Sequence, residues 1–193
     1  MMTQDTTSTK NMFLALAFDE STRHDLAHLF RLPLNSTIVR WEEKINYHLT
    51  LGYIAHVQRQ DRLKVVQAFH PLRDIQIFTA EVTKGLPLGI NGDSLCLQMG
   101  PHEKFLNIHA LAGELLAATT VYTFDTTYKD YIPHIKIQGI RHYIKQEEKN
   151  AITEQFITLS HRKFHLKIKI IALMERAHGN SKYNLVHAYK LAP

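Results

Sequence analysis

Two short tracts in this chain carry side chains that could do chemistry: Tyr47-His48-Leu49-Thr50-Leu51 and Pro133-His134-Ile135-Lys136-Ile137. Each sets a histidine and a phosphate-capable donor two residues apart between apolar neighbours. On an extended strand the side chains at i and i+2 point to one face. His48 then projects with Thr50, and His134 with Lys136, while the apolar residues pack behind them. Two imidazoles, with an ordinary pKa of about 6.5, can serve as base toward one oxygen of a phosphoryl group and acid toward another. Thr50 offers a hydroxyl and Lys136 an ammonium to the non-bridging oxygens, where negative charge builds during transfer. The pattern calls for no metal and no cofactor, and the residues themselves do not divide the acid and base roles.

Such a site exists only if the fold brings the tracts together. Periodicity and turn signals predict strands over residues 12–18, 37–41, 46–54, 74–82, 94–99, 164–174 and 182–190, with another through the second tract. Helices are predicted over 21–31, 58–69, 102–118 and 146–159. The first has a Thr22-x-x-Asp25 start signal and ends before Pro33; the second offers Leu63, Val66 and Phe69 as its apolar face. Residues 84–93, with Gly85, Gly89 and Gly92, read as turns. This order is α+β with antiparallel or mixed sheets and no regular βαβ repeat. Each half sets a helix, a loop and then a histidine strand, which predicts two related lobes facing one cleft. Residues 1–10 read as a loose N-terminus and 11–193 as a single bilobal domain.

Composition narrows the classes. A chain of 193 residues, 45% hydrophobic, can bury a substantial core. Its 23 basic against 18 acidic side chains leave a charge of +5, which suits an anionic partner such as RNA. Cys96 is the single cysteine, which excludes an intramolecular disulfide and a Cys-based zinc site and fits a cytoplasmic location. No apolar run approaches the roughly twenty residues of a membrane span. Residues 12–18 are too short for a leader and lack a small-residue cleavage site. The expectation is a monomer without a membrane partner.

Other candidates weigh less. His24 and His28 stand at i, i+4 without a third metal ligand. His161 and His165 lie among Arg162, Lys163, Lys167 and Lys169, a group that suits either an RNA backbone or a lysine-protected edge strand. Arg40 and Arg141 are candidates for a flanking phosphate, and Tyr53, Tyr128 and Tyr131 for stacking on an unpaired base. Trp41 reads as core.

The paired tracts resemble the H-x-T/S motifs of the 2H phosphoesterase superfamily, within it the bacterial RNA 2′,3′-cyclic phosphodiesterases also called 2′-5′ RNA ligases. The resemblance runs through nearly the whole chain: Phe13-Leu14-Ala15-Leu16-Ala17, Val39-Arg40-Trp41, His48-Leu49-Thr50-Leu51-Gly52, Pro133-His134-Ile135 and Ile170-Ile171-Ala172-Leu173-Met174-Glu175-Arg176 are similar to successive family segments. It implies a bilobal α+β fold whose two antiparallel or mixed sheets form a central cleft with helices outside. It further implies metal-independent opening of a 2′,3′-cyclic phosphate, on an RNA end or a cyclic nucleotide, to a 2′-phosphate, with 2′-5′ joining as the reverse. His134 would activate water and His48 protonate the departing 3′-oxygen. The departure is Lys136, where the family carries Thr or Ser. A lysine there suits either an altered phosphate contact or a noncatalytic nucleotide- or RNA-binding module.

Overall fold

The computed structural model describes residues 9–124, 131–176 and 183–193. The chain runs β1 (Thr9–Ala17), α1 (Glu20–Phe30), β2 (Val39–Trp41), β3 (His48–Gln58), α2 (Arg62–Ala68), β4 (Phe78–Leu88), β5 (Ser94–Gly100), α3 (His102–Thr119), β6 (His134–Ile140), α4 (Gln146–Leu159), β7 (His165–Ile168), β8 (Ile170–Arg176) and β9 (Tyr183–Lys190). The strands form one curled antiparallel sheet in the order β7-β4-β5-β6-β3-β1-β8-β9, with β2 on β6. A half-barrel results, and its α+β class agrees with the reading of the sequence.

The expected pair of sheets is joined into one, but barely: β3 and β6 share a single bridge, Leu49 opposite Ile135. On either side of that seam lies a lobe of the same plan. In one, β1, α1 and β3 are followed by α2; in the other, β5, α3 and β6 are followed by α4. Within each lobe the histidine strand pairs antiparallel with the strand that precedes the lobe's first helix, Ala17 opposite His48 and Gln98 opposite His134. Each ladder also slips by one residue at the same place, at Leu51 in β3 and at Ile137 in β6, three residues after the histidine. The Leu49–Ile135 bridge therefore lies on a pseudo-twofold axis.

Burial follows from these positions. β1 is a central strand covered on both faces, so Met12 to Leu16 are all buried. Phe105, Ile108, Ala112 and Leu116 hold α3 to the sheet. The segment leading into β4 meets the one that follows β9, where Ile77 N–H donates to Ala192 O (2.8 Å) and Ala192 N–H to Ile75 O (2.9 Å).

Several local expectations change. α1 is capped by Asp19, whose carboxylate accepts from Thr22 N–H, one turn ahead of the expected start. Residues 59–61 form a 3-10 turn before α2, and its tighter winding rotates the helix so that Val65 and Ala68 are buried while Leu63 is 65% exposed. β4 continues to Leu88 through the expected turn region. Gly85 serves close approach there: its N–H donates to Ser160 Oγ at the end of α4 (2.5 Å), and a Cβ would lie 2.7 Å from that oxygen. The single strand expected over 164–174 is two strands in opposite lobes, since β7 pairs with β4 and β8 with β1.

Candidate active site

The seam between the lobes is where the two histidine tracts meet. Continuing the Leu49–Ile135 register one residue each way sets His48 across from Lys136 and Thr50 across from His134. Leu49 and Ile135 point into the core, buried to 1% and 0% exposure, so the four polar side chains stand together on the cleft face. They occupy the corners of a patch about 5 Å by 7 Å at Cβ level, a size that one phosphate group spans. The opposite strand positions in β1 are Ala15 and Ala17, small residues that leave room over the floor.

Both rings are held the same way. His48 Nδ1 donates to Asn46 O (2.5 Å) and His134 Nδ1 to Ile132 O (2.7 Å), in each case the carbonyl two residues earlier. A ring nitrogen facing a carbonyl carries the hydrogen, so Nε2 keeps its lone pair. Thr50 Oγ1 lies 3.1 Å from His48 Nε2 and donates to it. Burial lowers the pKa of both imidazoles; the Asn46 carbonyl and the Glu42 carboxylate oppose this at His48, where His134 adds to it, and the Ile132 carbonyl opposes it at His134, where Lys136 adds to it. Two oriented imidazoles can exchange protons with a phosphoryl group between them.

The remaining positions have distinct surroundings. The slip at Leu51 returns Tyr53 to the cleft face: it pairs with Phe13, whose ring lies tilted at 5.9 Å from Tyr53 and 5.1 Å from His48. Tyr53 is 45% exposed and available on that wall. Tyr183, not anticipated from the sequence, meets His48 edge-on at 5.1 Å. Arg40 is exposed on β2 opposite Gly139, two residues from Glu42 and on its face, at the rim of the patch. Arg141 lies beyond the end of β6, about 16 Å along the strand from Lys136, with its Nε donating to Ser36 O (3.2 Å). The structure does not bring it to the histidines. Tyr128 lies outside the described residues.

Tyr131 ties the lobes instead of facing the cleft. Its hydroxyl donates to Thr50 O (2.8 Å) and its ring stacks on His109 at 4.9 Å. Tyr47 makes the reciprocal crossing, its hydroxyl donating to Ile137 O (3.3 Å) and accepting from Arg31 Nε (2.7 Å). Each tyrosine precedes one histidine and bonds the backbone of the other histidine strand, supplying contacts where the ladder has only one bridge.

Glu42 is the charged member of the site that motif spacing did not reveal. Its carboxylate lies 3.8 Å from Lys136 Nζ and accepts from Asn46 Nδ2 (3.0 Å). Trp41, expected in the core, is 49% exposed with the Arg31 guanidinium 5.9 Å over its ring. His24 and His28 lie 6.4 Å apart with Lys44 Nζ beside His24, and among the described residues no three potential ligands gather as a metal site. In the basic group, Arg162 donates to Leu29 O (3.2 Å), Lys169 pairs with Asp19 (3.9 Å) and His165 with Glu81 (3.9 Å). Among the described residues no helix is long and apolar enough to cross a membrane.

No protein-family model matches the chain, and no curated protein matches it in sequence. Solved structures match its fold over nearly its full length. Escherichia coli LigT, in complex with 3′-AMP, has a TM-score of 0.70 at 14% identity, covering 96% of this chain and all of that one. A protein described as a phosphoesterase also has a TM-score of 0.70, at 12% identity and the same coverage. The protein TT0787 of Thermus thermophilus has a TM-score of 0.67 at 16% identity, covering 94% of this chain and 97% of that one. The architecture is the LigT-like fold.

Proposed function

We propose that this protein is a 2H phosphoesterase that opens 2′,3′-cyclic phosphates, on RNA ends or nucleotides, to 2′-phosphates. The observation that carries the reading is the seam itself: one bridge sets His48, Thr50, His134 and Lys136 on one face, with both imidazoles presenting Nε2. Water attacks phosphorus opposite the 3′-oxygen and gives its proton to His134 Nε2. The P–O3′ bond breaks, and the 3′-oxygen takes a proton from Nε2 of a protonated His48. Thr50 and Lys136 hold the non-bridging oxygens as charge grows on them. With a 5′-hydroxyl attacking in place of water, the same groups join a cyclic end through a 2′-5′ bond: the 5′-oxygen gives its proton to His134, the P–O3′ bond breaks and the 3′-oxygen takes a proton from His48. A nucleotide ligand is in keeping with LigT, solved with 3′-AMP and with NADP+. The protein would act as a cytoplasmic monomer without a metal or other cofactor.

The test is incubation with an oligoribonucleotide ending in a 2′,3′-cyclic phosphate, in chelator, followed by identification of the terminal phosphate. The expected result is a 2′-phosphate, with His48→Ala and His134→Ala each slower by about 10²–10⁴-fold, the worth of a general acid or base. Lys136 supports a second reading, a noncatalytic phosphate clamp. Bound cyclic-ended RNA with no product from the wild type would select it.

A further inference from the structure

The two histidine tracts are matched in register, in ring anchoring and in the place of the ladder slip, so nothing in their backbone makes one histidine the acid and the other the base. What breaks the symmetry is a pair of charges. We propose that Glu42 is the positioning residue that makes the two halves unequal, pairing with Lys136 on one histidine strand and bracing the Asn46 turn that orients His48 on the other, so that a positive charge is better held on His48 than on His134. This rests on the proposed phosphoryl chemistry for its catalytic consequence, not for its electrostatic one.

Glu42 is built into the seam. Its N–H donates to Ile137 O (3.3 Å), and its carbonyl accepts from Arg31 Nη2. One carboxylate oxygen accepts from Asn46 Nδ2, and Asn46 is 3% exposed, so the amide has little freedom to turn elsewhere. The Asn46 carbonyl in turn holds His48 Nδ1. The other oxygen faces Lys136 Nζ. The ammonium stands across from His48 and two residues from His134, so it reaches both rings, while the carboxylate is tied to the His48 side through Asn46. Opposite charge favours an imidazolium and like charge disfavours it. The same division is seen in the direct effects: Glu42 raises the pKa of His48 against the dominant pull of burial, whereas Lys136 reinforces that pull at His134. The other groups facing His48 are the Phe13 and Tyr183 rings, the Thr50 hydroxyl, His134 and Lys136, which stands directly across the seam from it; those facing His134 are Gln98 of β5, and Thr50 across the seam. Lys136 is shared by both rings and Thr50 and Gln98 are uncharged, so Glu42, held against the Asn46 turn on the His48 side, supplies the asymmetry.

The pair has a second consequence. A lysine left alone at a phosphate site would hold a dianionic phosphomonoester product more strongly than the monoanionic cyclic substrate. Glu42 competes for that ammonium and eases product release. Removing its charge should tighten product binding while slowing turnover.

The experiment is an NMR titration of the His48 and His134 ring protons in the full-length free protein, for wild type, Glu42→Gln, Glu42→Asp and Lys136→Met, with folding checked by thermal unfolding. In the wild type His48 should titrate above His134. Glu42→Gln should lower the His48 midpoint, Glu42→Asp should recover part of it, and Lys136→Met should raise His134. In turnover assays Glu42→Gln should move the basic limb of the kcat/KM profile to lower pH, cut activity on that side about tenfold, and bind a 2′-phosphorylated nucleotide more tightly. Should Glu42→Gln fail to fold, Glu42→Asp and Lys136→Met carry the same comparison. His134 above His48 in the wild type, or midpoints that ignore these substitutions, would overturn the inference. Because the titration needs no substrate, an absence of hydrolysis would sink the proposed function without deciding this one.

Discussion

Tyr131→Phe isolates the device that holds the two lobes in register. The substitution removes one hydroxyl, which donates to Thr50 O at 2.8 Å, and leaves the ring stacked on His109. Burial raises the Tyr131 pKa far above neutrality, so the phenol is a donor at every working pH. Thr50 O belongs to the strand edge where the β3–β6 ladder stops after one bridge. A backbone carbonyl left without its partner in a part-buried setting costs about 1–3 kcal/mol. For a domain of this size each kcal/mol moves Tm by about 2–4 °C, so the expected fall is about 2–12 °C, read by circular dichroism. The β3–β6 spacing also sets the distance between His48 and His134, and misplacement at this scale is amplified in turnover. kcat/KM on a cyclic-ended oligoribonucleotide should therefore fall about tenfold or more at temperatures where the variant is fully folded. A variant that keeps both Tm and kcat/KM would show that the hydroxyl is not what spaces the histidines.

Three further outcomes follow from geometry and burial. Because burial lowers the pKa of His48 and His134 from 6.5, the free-enzyme kcat/KM profile should centre on the acid side of pH 6.5; an optimum above pH 7.5 would contradict the buried site. The same shifts give stability that is complete above pH 6.5 and lost as pH falls through the folded-state values, since the unfolded chain protonates these rings first; Tm measured from pH 7.5 to 5 should fall less steeply in the His48→Gln/His134→Gln protein. In Gly52→Ala the new Cβ would overlap the Phe124 ring, which should cost about 1–3 kcal/mol in urea unfolding and be partly recovered by adding Phe124→Leu.

Much of the candidate site's arrangement was legible in the sequence because it is local. The i, i+2 spacing of His48 with Thr50 and of His134 with Lys136 fixes shared faces on a strand wherever that strand is placed. The α+β order, the central apolar strand and the core stripe of α3 were likewise carried by periodicity. Glu42 was not legible, since it belongs to no motif and acts across the seam. Tyr53 shows the limit of counting along a strand: simple alternation from His48 sends it to the far face, and the slip at Leu51 brings it back. Tyr131 and Arg141 looked equally available to a substrate, yet one bolts the lobes together and the other ties down the segment before β2. The split of residues 165–176 between two lobes has no local signal, because both pieces are apolar strands whose partners lie far away in the chain. The sequence by itself determined two phosphate-suited faces and the class of fold able to pair them. Only the tertiary structure decided that they meet at Leu49 and Ile135, because a single hydrogen-bonded register between distant strands is set by the closing of the whole sheet and not by any residue's own neighbours.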